Sequence, residues 1–475
     1  MPLFSIPLSG LDASSTAMST IANNLANLNT VGYKGSDTQF ADLFYQTLAT
    51  NGSGDPIQVG AGTSVSTTSI NMNSGSPEST GVPTDVAIMG SGFFVVQQGG
   101  TSYYTRAGDF SVAPDGALQT PNGENVMGYA AVNGTIPAGA ALAPLQLDKG
   151  QINPPSATTT VSLTTNLDAS AVVGVGDSTL STPVTVYDSL GTAHVLNFNF
   201  TKTAAGAWNC NVTIPNSDLT PPAAWQASNA YSAGNMISPP TANGHFYQCT
   251  VAGTSGATPP ANWPTDGSSF TDGGVTWQDM GTQSTIDTTA LTFDSTGKLT
   301  SPAGNVTGIT AGGLADGASP LNFSWDLYNS SNVPLLTQVA SASTTTSALQ
   351  DGYGSGALND YTIGSDGTIM GSFSNGRTAA LGQIALANFA NTQGLERVGN
   401  NDFSATLASG APVVGAPGTG GLGTVSGGSL ELSNVDIATQ FSALIVAQRD
   451  YEANARTITT FDQIMQDTIN LKSPS

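Results

Sequence analysis

The chain has 475 residues, and its 10 Lys and Arg residues stand against 32 Asp and Glu residues, giving a formal net charge of −22. Neutralising phosphates requires clustered Lys and Arg, so this composition excludes nucleic acid as a partner and disfavours docking on an anionic membrane surface. Charged residues make up only 9% of the chain, which suits a secreted protein that stays soluble before it assembles.

The start of the chain indicates how the protein is targeted. Met1–Gly10 lacks the basic segment and apolar core that a cleaved signal peptide requires. The sequence contains no run of about 18 apolar residues, so we expect no membrane insertion. If the protein leaves the cell, we expect export without a cleaved signal peptide.

The N-terminal region predicts an amphipathic helix. Its apolar residues recur at alternating spacings of three and four, interrupted at Ser14, which is typical of a coiled-coil seam. The residues of this N-terminal stripe are Leu11, Met18, Ile21, Leu25 and Leu28. Three poor helix formers lie in the same segment: Asn23, Asn24 and Asn27. We therefore expect a helix that is weak until it is packed, ending near Asn29.

From about residue 70 to 430, strand signals recur between turns and few helical stripes interrupt them. The first predicted strands are Asp85–Met89, Phe93–Gln97, Tyr103–Arg106 and Asp109–Val112. The turn Pro114-Asp115-Gly116 follows them. The same pattern of a strand followed by a turn recurs at Tyr361–Ile363 and 365–368. This pattern predicts antiparallel β structure rather than βαβ units.

The segment 222–283 is rich in aromatic residues and carries three of the five tryptophans of the chain. Its aromatics are Trp225, Tyr231, Tyr247, Trp263 and Trp277. The segment resembles small chitin-binding-type carbohydrate modules and phage-tail surface modules. Flat aromatic faces stack on sugar rings, so these residues are candidate glycan contacts. The alternative, which we favour, is that a module of this size needs its aromatics for its own core.

Little in the sequence predicts chemistry. The two cysteines, Cys210 and Cys249, either form one disulfide or are small buried groups. The stretch 418–423 fits G-x-G-x-x-G but lacks the strand and helix of a dinucleotide site, so we predict a flexible loop. Two acidic pairs could suggest a glycosidase, although turn positions favour solvated carboxylates: Asp351 with Asp360, and Asp148 with Asp168. We therefore expect no catalytic residue, cofactor or metal.

The C-terminal region predicts a second, longer helix from Val435 to Lys472, about 57 Å long, with Ser433 or Asn434 as N-cap. The members of its apolar stripe are Ile437, Phe441, Leu444, Tyr451, Ala455, Ile458, Met465 and Ile469. A narrow stripe cannot bury itself, and the N-terminal helix is the expected partner. The alternative is ordinary helix packing within one domain. Matched stripes at both ends of a β-rich chain favour an assembly coiled coil.

Both ends resemble known sequence motifs. Ala22–Lys34 resembles the N-terminal signature of the flagellar rod and hook proteins, and Ala447–Arg456 with Ile458–Thr460 resembles their C-terminal helix. Interior segments resemble the hook proteins in particular: Val186–Gly191 with His194, Phe200–Thr203, Leu291–Asp294 with Gly297–Leu299, and Asn388–Gly399. On these motifs the chain is identified as a member of the bacterial flagellar hook family, apart from 222–283.

The resemblance implies a mainly β fold with α-helical coiled-coil termini. The N- and C-terminal helices would be paired, with two or three antiparallel β domains nested between them. The implied boundaries are as follows: a terminal helical domain of 1–30 and 435–475, a linker of 31–70, an inner β domain of 71–145 and 351–430, an outer β domain of 146–221 and 284–350, and the insert 222–283.

The resemblance also implies a structural subunit and not an enzyme. Such subunits self-assemble into a curved, flexible tube that joins the motor rod to the filament and transmits torque. The implied partners are copies of itself, the rod, hook cap and hook–filament junction proteins, and the flagellar type III export apparatus. The implied location is the extracellular hook at the basal body. Both apolar stripes, with Asn24 and Asn27, would form the assembly interface.

Two other functions stay open at this stage. A distal rod-type axial subunit would share the same chain ends, but the outer-domain strands would be superfluous. A secreted carbohydrate-binding protein would explain the aromatic segment, but it would leave the terminal stripes unexplained.

Overall fold

The structure, a computed structural model, describes residues 4–148 and 150–471, which form two compact units. Unit 1 comprises the chain up to Gln151 and from Leu358 onward, and unit 2 is Ile152–Ala357. The protein is mainly β, with helices α1 at Ser5–Ala26 and α2 at Ile437–Leu471. The predicted fold class is therefore confirmed. Among the described residues, neither helix is both long and apolar enough to span a membrane.

The helix ends differ from those predicted. Helix α1 ends at Ala26, before the predicted stop at Asn29. Helix α2 begins at Ile437, and its N-cap is Asp436, whose Oδ1 accepts the Thr439 N–H at 2.6 Å. The predicted start at Val435 and the predicted caps Ser433 and Asn434 are therefore wrong. The predicted end at Lys472 lies outside the described residues.

Unit 1 contains a large antiparallel sheet and several short strand pairs. Its strands are Ser36–Asp42, Gln46–Thr50, Pro56–Val59, Thr63–Ile70, Pro77–Ser79, Val86–Met89, Phe93–Gln98, Thr101–Thr105, Ser111–Val112, Leu118–Gln119, Asn125–Ala130, Leu142–Pro144, Gly356–Ile363, Thr368–Phe373, Thr378–Ile384, Leu386–Asn388, Glu396–Gly399, Asp402–Ser404, Val413–Gly415, Thr424–Gly427 and Ser429–Glu431. A short 3₁₀ helix spans Thr392–Gly394. Apolar residues from alternate strand positions, among them Phe94, Val96 and Ile384, form the core of the large sheet of unit 1.

The strands predicted early in the chain are present with shifted ends. The largest difference is at Asp109–Val112, where the strand is only Ser111–Val112 and Asp109 forms an isolated bridge with Asp85. The predicted turn at 114–116 is confirmed by a Gly116 φ of +84° and by the Gly116 N–H, which donates to the Ala113 carbonyl. Local pattern therefore located the strands to within a few residues.

Unit 2 contains two five-stranded sheets and a smaller module. Its strands are Ile152–Asn153, Thr160–Asn166, Thr179–Tyr187, Ala193–Ala204, Ala207–Pro215, Ala230–Tyr231, Met236–Ile237, Tyr247–Val251, Gly253–Thr254, Ser269–Asp272, Val275–Asp279, Gln283–Phe293, Leu299–Ser301, Val306–Ala311, Leu321–Asp326, Leu336–Thr337 and Thr344–Gln350. Short 3₁₀ helices span Gly176–Ser178 and Asn216–Asp218. Both sheets contribute to one core, in which Phe198 and Phe200 pack edge-on against Trp325.

One sheet of unit 2 departs from the antiparallel prediction. Thr160–Asn166 pairs in parallel with Leu321–Asp326 and with Leu336–Thr337, while its pairing with Thr344–Gln350 is antiparallel. The long sequence separation between these strands leaves no local signal of their direction. The other five-stranded sheet is antiparallel throughout.

The aromatic segment 222–283 emerges from a strand pair of unit 2. Strand Ala207–Pro215 pairs antiparallel with Gln283–Phe293, and Pro215 is the partner of Gln283. The Asn216 side chain donates to the carbonyls of Gly281, at 2.8 Å, and Gly244, at 3.2 Å. The segment therefore replaces the connection of a hairpin and is tied to the sheet at its base.

Several candidate chemical features have structural explanations. Cys210 and Cys249 are both buried free thiols, and burial raises the pKa of each. The stretch 418–423 connects Val413–Gly415 to Thr424–Gly427, and no helix follows it, as a dinucleotide site would require. Asp351 accepts the backbone N–H groups of Thr159 and Thr160, so its carboxylate joins two segments that are distant in sequence.

A buried acid pair lies in unit 1. Asp402 is 4% exposed, and burial followed by the nearby Glu124 carboxylate raises its pKa to about 7. Glu124 is also buried, and its Oε2 accepts the Thr120 hydroxyl at 3.1 Å. Two adjacent carboxyl groups in such a site hold a shared proton, because both cannot ionise without a large repulsion.

We expect unit 1 to lose stability as the pH rises from about 4 to about 7. Over that range the folded pair keeps a proton that the unfolded chain has released, so the free energy of unfolding falls by up to about 1.4 kcal/mol per pH unit. Hydrogen exchange in the strands Thr101–Thr105 and Asp402–Ser404, followed across this pH range, measures the free energy of unfolding. Asp402→Asn should flatten the dependence and exposed Glu396→Gln should not; an equally steep profile in Asp402→Asn contradicts the prediction.

Candidate assembly site

A buried ion cluster joins the two halves of unit 1. Lys34 follows α1, and its fully buried Nζ donates to Glu431 Oε1 at 2.6 Å. Arg106 donates to Glu431 Oε2 at 3.1 Å. The Lys34 Nζ also donates to the Asn73 carbonyl at 2.8 Å. Because Glu431 ends the last strand before α2, this cluster ties the chain after the first helix to the chain before the second.

The charges of this cluster depend on one another. Burial lowers the pKa of Lys34 and of Arg106, and the Glu431 carboxylate opposes that effect on both. Glu431 Oε1 also accepts the Gly75 N–H at 2.8 Å, so both carboxylate oxygens have donors. Burying charges is costly unless they are paired, and here both cations share the one carboxylate, although Arg106 Nε has no hydrogen-bond partner. Removing Glu431 would leave two cations in the interior without a counter-charge.

Backbone contacts fix the segment that carries Lys34. Gly32 has a φ of +67°, and a Cβ there would lie 2.5 Å from the Arg106 carbonyl carbon, so glycine is required. The Gly32 N–H donates to the Glu431 carbonyl at 2.7 Å. The Arg397 guanidinium lies 5.3 Å from the centroid of the Tyr33 ring and donates to the Lys34 carbonyl. These contacts set the direction in which α1 leaves the β strands.

Asn24 lies inside the subunit and not on an assembly surface, which corrects the sequence prediction for this residue. Its Oδ1 accepts the Ser36 N–H at 3.0 Å, and its Nδ2 donates to the Ser36 carbonyl at 2.8 Å. Asn27 is half-buried and also bonds locally, since it donates to the Asn23 carbonyl and accepts the Thr30 hydroxyl. The asparagines that weaken α1 therefore shape its connection to the first strand.

Asn434 fastens the start of the second helix to the same junction. Its Oδ1 accepts the Gly35 N–H at 2.8 Å. Its Nδ2 donates to the carbonyls of Asn71, at 2.8 Å, and Asn73, at 2.9 Å. These bonds explain why Asn434 does not cap α2, because both ends of its amide are already used.

Helices α1 and α2 pack antiparallel, which confirms that the terminal helices pair. Three residue pairs mark the direction, namely Phe4 with Phe461, Gly10 with Asn454, and Asn24 with Gln440. A groove of about 770 Å³ runs beside the pair, and small side chains from both helices line much of it: Ala13, Ser14, Ala17, Ala443 and Ala447. Small residues at these positions let the two backbones approach closely.

The helix pairing covers the predicted stripes only in part. All five residues of the N-terminal stripe are half-buried. In the C-terminal stripe, the half-buried residues are Leu444, Tyr451, Ala455, Ile458 and Met465. The exposed ones are Ile437, Phe441 and Ile469. The stripes therefore contain two groups, one facing within the chain and one facing outward.

Sequence reasoning missed other exposed apolar residues of unit 1. On the helices these are Ile6, Leu8, Ile445, Val446 and Ile464. A second group lies on two hairpins formed by 36–70, which the sequence predicted only as a linker: Phe40, Phe44, Tyr45, Leu48, Ile57 and Val59. The aromatic residues at 40, 44 and 45 were the available signal.

The candidate glycan contacts of segment 222–283 are mostly core residues. Trp225, Tyr247 and Trp277 are buried, so their faces cannot stack on a sugar, and the prediction of such a contact is wrong for these three. Trp225 Nε1 donates to Asp272 Oδ2 at 2.6 Å. Half-buried Tyr231 and Trp263 pack edge-on against Trp277 and Tyr247, respectively.

Four family descriptions match the chain in sequence. "Flagella basal body rod protein" matches residues 6–34, and "Flagellar hook protein FlgE/F/G D1 domain" matches 87–166. "Flagellar basal body protein FlaE D2 domain" matches 174–353, and "Flagellar basal body rod FlgEFG protein C-terminal" matches 426–471. The two terminal matches cover the helices and the residues of the ion cluster on either side.

Full-length relatives are similar along the whole chain. The flagellar hook protein FlgE of Salmonella typhimurium is 33% identical, over 99% of this chain and 100% of the relative. That of Treponema pallidum is 33% identical over 98% of each. The chain belongs to the flagellar hook protein FlgE family. A crystal structure of Helicobacter pylori FlgE2 is 18% identical, covers 73% of this chain and 98% of that one, and has a TM-score of 0.38.

Family membership gives the ion cluster a context. Lys34 falls within the N-terminal family match and Glu431 within the C-terminal one. The two terminal segments of this hook-family chain are thus joined by a buried contact across a sequence separation of 397 residues.

We expect Glu431→Gln to lower the free energy of unfolding of unit 1 by about 3–5 kcal/mol, because it leaves Lys34 and Arg106 buried without their counter-charge. Urea unfolding, with hydrogen exchange in unit 1 as the probe, measures this loss of free energy. All five tryptophans lie in unit 2, so their fluorescence provides an internal reference that should be unchanged. Exposed Glu78→Gln in the adjacent strand is the matched control. A loss below about 1 kcal/mol for Glu431→Gln would show that the cluster is dispensable.

Proposed function

We propose that this protein is a structural subunit that polymerises through its helical pair into the flagellar hook, a curved and flexible tube. In this proposal the tube joins the motor rod to the filament and transmits torque. The observation that supports it most directly is the apolar face that α2 leaves uncovered in the single chain.

That face has the regular spacing of a helix contact. Ile437, Phe441 and Ile445 recur every four residues, so they lie on one side of α2. They are 48%, 51% and 57% exposed, respectively. Covering apolar surface contributes about 25 cal/mol per Å². A second copy of the chain is the occupant we propose, since relatives along its whole length are hook proteins.

The contact between copies would be heterologous, because the face on α2 is met by a different surface of the next copy. Such contacts propagate into a helix when the rotation does not close a ring. The exposed apolar residues of α1 and of the 36–70 hairpins are the surfaces that we propose for the other side. The β sheets of each unit, whose apolar residues are mostly buried, would make looser contacts between copies.

We further propose that the protein is exported by the flagellar type III apparatus to an extracellular location at the basal body. There it would contact rod, hook cap and hook–filament junction proteins. Isolated helices are marginally stable, so a pair with uncovered faces suits passage as an unfolded chain and ordering on assembly.

The two alternative functions have weaker support. A rod-type axial subunit would account for the terminal matches, but residues 174–353 match a D2 domain and the full-length relatives are hook proteins. A secreted carbohydrate-binding protein would need exposed aromatic faces, and the largest aromatics of 222–283 lie in its core. A role as a hook subunit accounts both for the matches at the two chain ends and for the match of the interior.

We expect the double variant Phe441→Glu, Ile445→Glu to remain folded and to fail to polymerise. Both side chains are exposed in the single chain, so the monomer loses little, whereas burying two carboxylates between copies is costly. The critical concentration for polymer formation should rise at least about tenfold, equivalent to about 1.4 kcal/mol per contact. Sedimentation and electron microscopy measure it, and circular dichroism checks the fold.

The matched control is the double variant Val251→Glu, Val172→Glu, which places the same two charges on apolar residues of unit 2 that are 55% and 64% exposed. This variant should polymerise like the unmodified protein. Unchanged tubes from the double variant, or equal loss in the control, would rule out α2 as the principal contact.

A further inference from the structure

Three loops of unit 2 bring one histidine and three carboxylates together. Asp188 directly follows strand Thr179–Tyr187, and His194 is the second residue of strand Ala193–Ala204. Asp218 lies in the 3₁₀ turn Asn216–Asp218, and Asp316 lies in the loop before strand Leu321–Asp326. The Ala315 N–H donates to the Asp218 carbonyl at 2.9 Å, which holds two of these loops side by side.

His194 lies between two carboxylates. Its side chain is 4% exposed, with Nε2 3.1 Å from Asp188 Oδ2 and Nδ1 3.0 Å from Asp218 Oδ2. With a proton on Nδ1, the ring donates to Asp218 and directs the lone pair of Nε2 toward Asp188. A carboxylate on the far nitrogen of a histidine is the usual way in which a metal-binding imidazole is oriented.

Asp316 completes a set of three converging acceptors. Its carboxyl group lies within hydrogen-bonding reach of the Asp188 carboxylate, and one ligand atom each from Asp188, His194 and Asp316 lie within 4.8 Å of one another. Two carboxylates and the lone pair of Nε2 repel one another unless a proton on Nε2 or a metal cation lies between them. In the described part of the chain, no Lys or Arg forms an ion pair with any of the three carboxylates.

Each carboxylate is held in place by a hydrogen bond to its Oδ1, while Oδ2 of Asp188 and of Asp218 contacts His194. Asp188 Oδ1 accepts the N–H groups of Leu190, at 2.8 Å, and Thr192, at 2.9 Å. Asp218 Oδ1 accepts the Ser217 hydroxyl at 3.0 Å. Asp316 Oδ1 accepts the Ala318 N–H at 3.1 Å. Such outer hydrogen bonds pre-organise a ligand set.

We propose that Asp188, His194 and Asp316 bind a divalent transition-metal cation of the Zn²⁺ type, with Asp218 orienting the histidine. Imidazole nitrogen with two carboxylate oxygens is a donor set that Zn²⁺ accepts, leaving its fourth position to water. Ligand atoms of a tetrahedral zinc lie about 3.4 Å apart, close to the separation between His194 Nε2 and Asp188 Oδ2. Asp316 is exposed, so the ion has an entry path from solvent.

The site is independent of the proposed polymerisation, since it lies in unit 2 and the helical pair lies in unit 1. Its effect would be to join the loops after Tyr187, Pro215 and Ala311 by bonds stronger than the hydrogen bonds between them. A bound ion would therefore stabilise this end of unit 2 without changing its core.

The test is calorimetric titration of the full-length chain with Zn²⁺ at neutral pH. We expect one ion per chain and a rise in the thermal midpoint of the tryptophan fluorescence transition, which reports on unit 2. Asp316→Asn should weaken binding at least about tenfold, and Asp218→Asn by about 10–100-fold. Asp177→Asn, an exposed carboxylate of the same unit, is the control and should bind like the unmodified chain.

His194→Gln provides the second arm, with His245→Gln as its partner because these are the only two histidines. Loss of binding in the first and not in the second supports the site. If His194→Gln does not fold, Asp316→Asn decides the outcome, because its side chain is exposed. The proposal is overturned if the unmodified chain binds no Zn²⁺, or if binding is unchanged in Asp316→Asn.

Discussion

The buried contact among Lys34, Glu431 and Arg106 is the interaction on which the rest of unit 1 depends. It places three charges out of water, and the pairing of both cations with one carboxylate offsets the cost of that burial. Because its members come from the chain after α1, the first β region and the chain before α2, it forms only when distant parts of the sequence have met. Glu431 has no substitute here, since one carboxylate serves both cations and the Gly75 N–H.

That junction determines which faces of α1 and α2 remain exposed. The junction holds the end of α1 and the start of α2, and small residues line the contact between the two helices. Because the helices approach closely at Gly10 and Asn454, the larger apolar residues lie on their other faces. The helical pair is thus packed within the chain and apolar outside it. The β sheets of both units differ, because their aromatic residues contact one another in buried cores. The β sheets therefore bury most of their apolar residues within the chain, whereas the helical pair leaves part of its apolar surface exposed.

Periodicity predicted the helices, their pairing and the β character between them, because these depend on local spacing. It failed where a side chain acts over distance. Lys34 resembles any solvated lysine in sequence, and its partner lies 397 residues away. Asn24 resembles a weak helix former, yet it is a buried connector to Ser36. For the same reason, Asp188 and Asp316 gave no signal as ligands, since the loops that carry them meet only in the folded unit.

The aromatic segment 222–283 is joined to unit 2 at one place. Its two ends lead into strands that pair at Pro215 and Gln283, so the segment starts and finishes at neighbouring points. A segment joined in this way leaves the hydrogen-bond ladder between the two strands intact. The segment has a hydrophobic core of its own, and Trp225, Tyr247 and Trp277 are the largest residues in it. Their burial follows from how the segment is joined to the sheet, and a role in sugar binding is not needed to explain why these residues are aromatic.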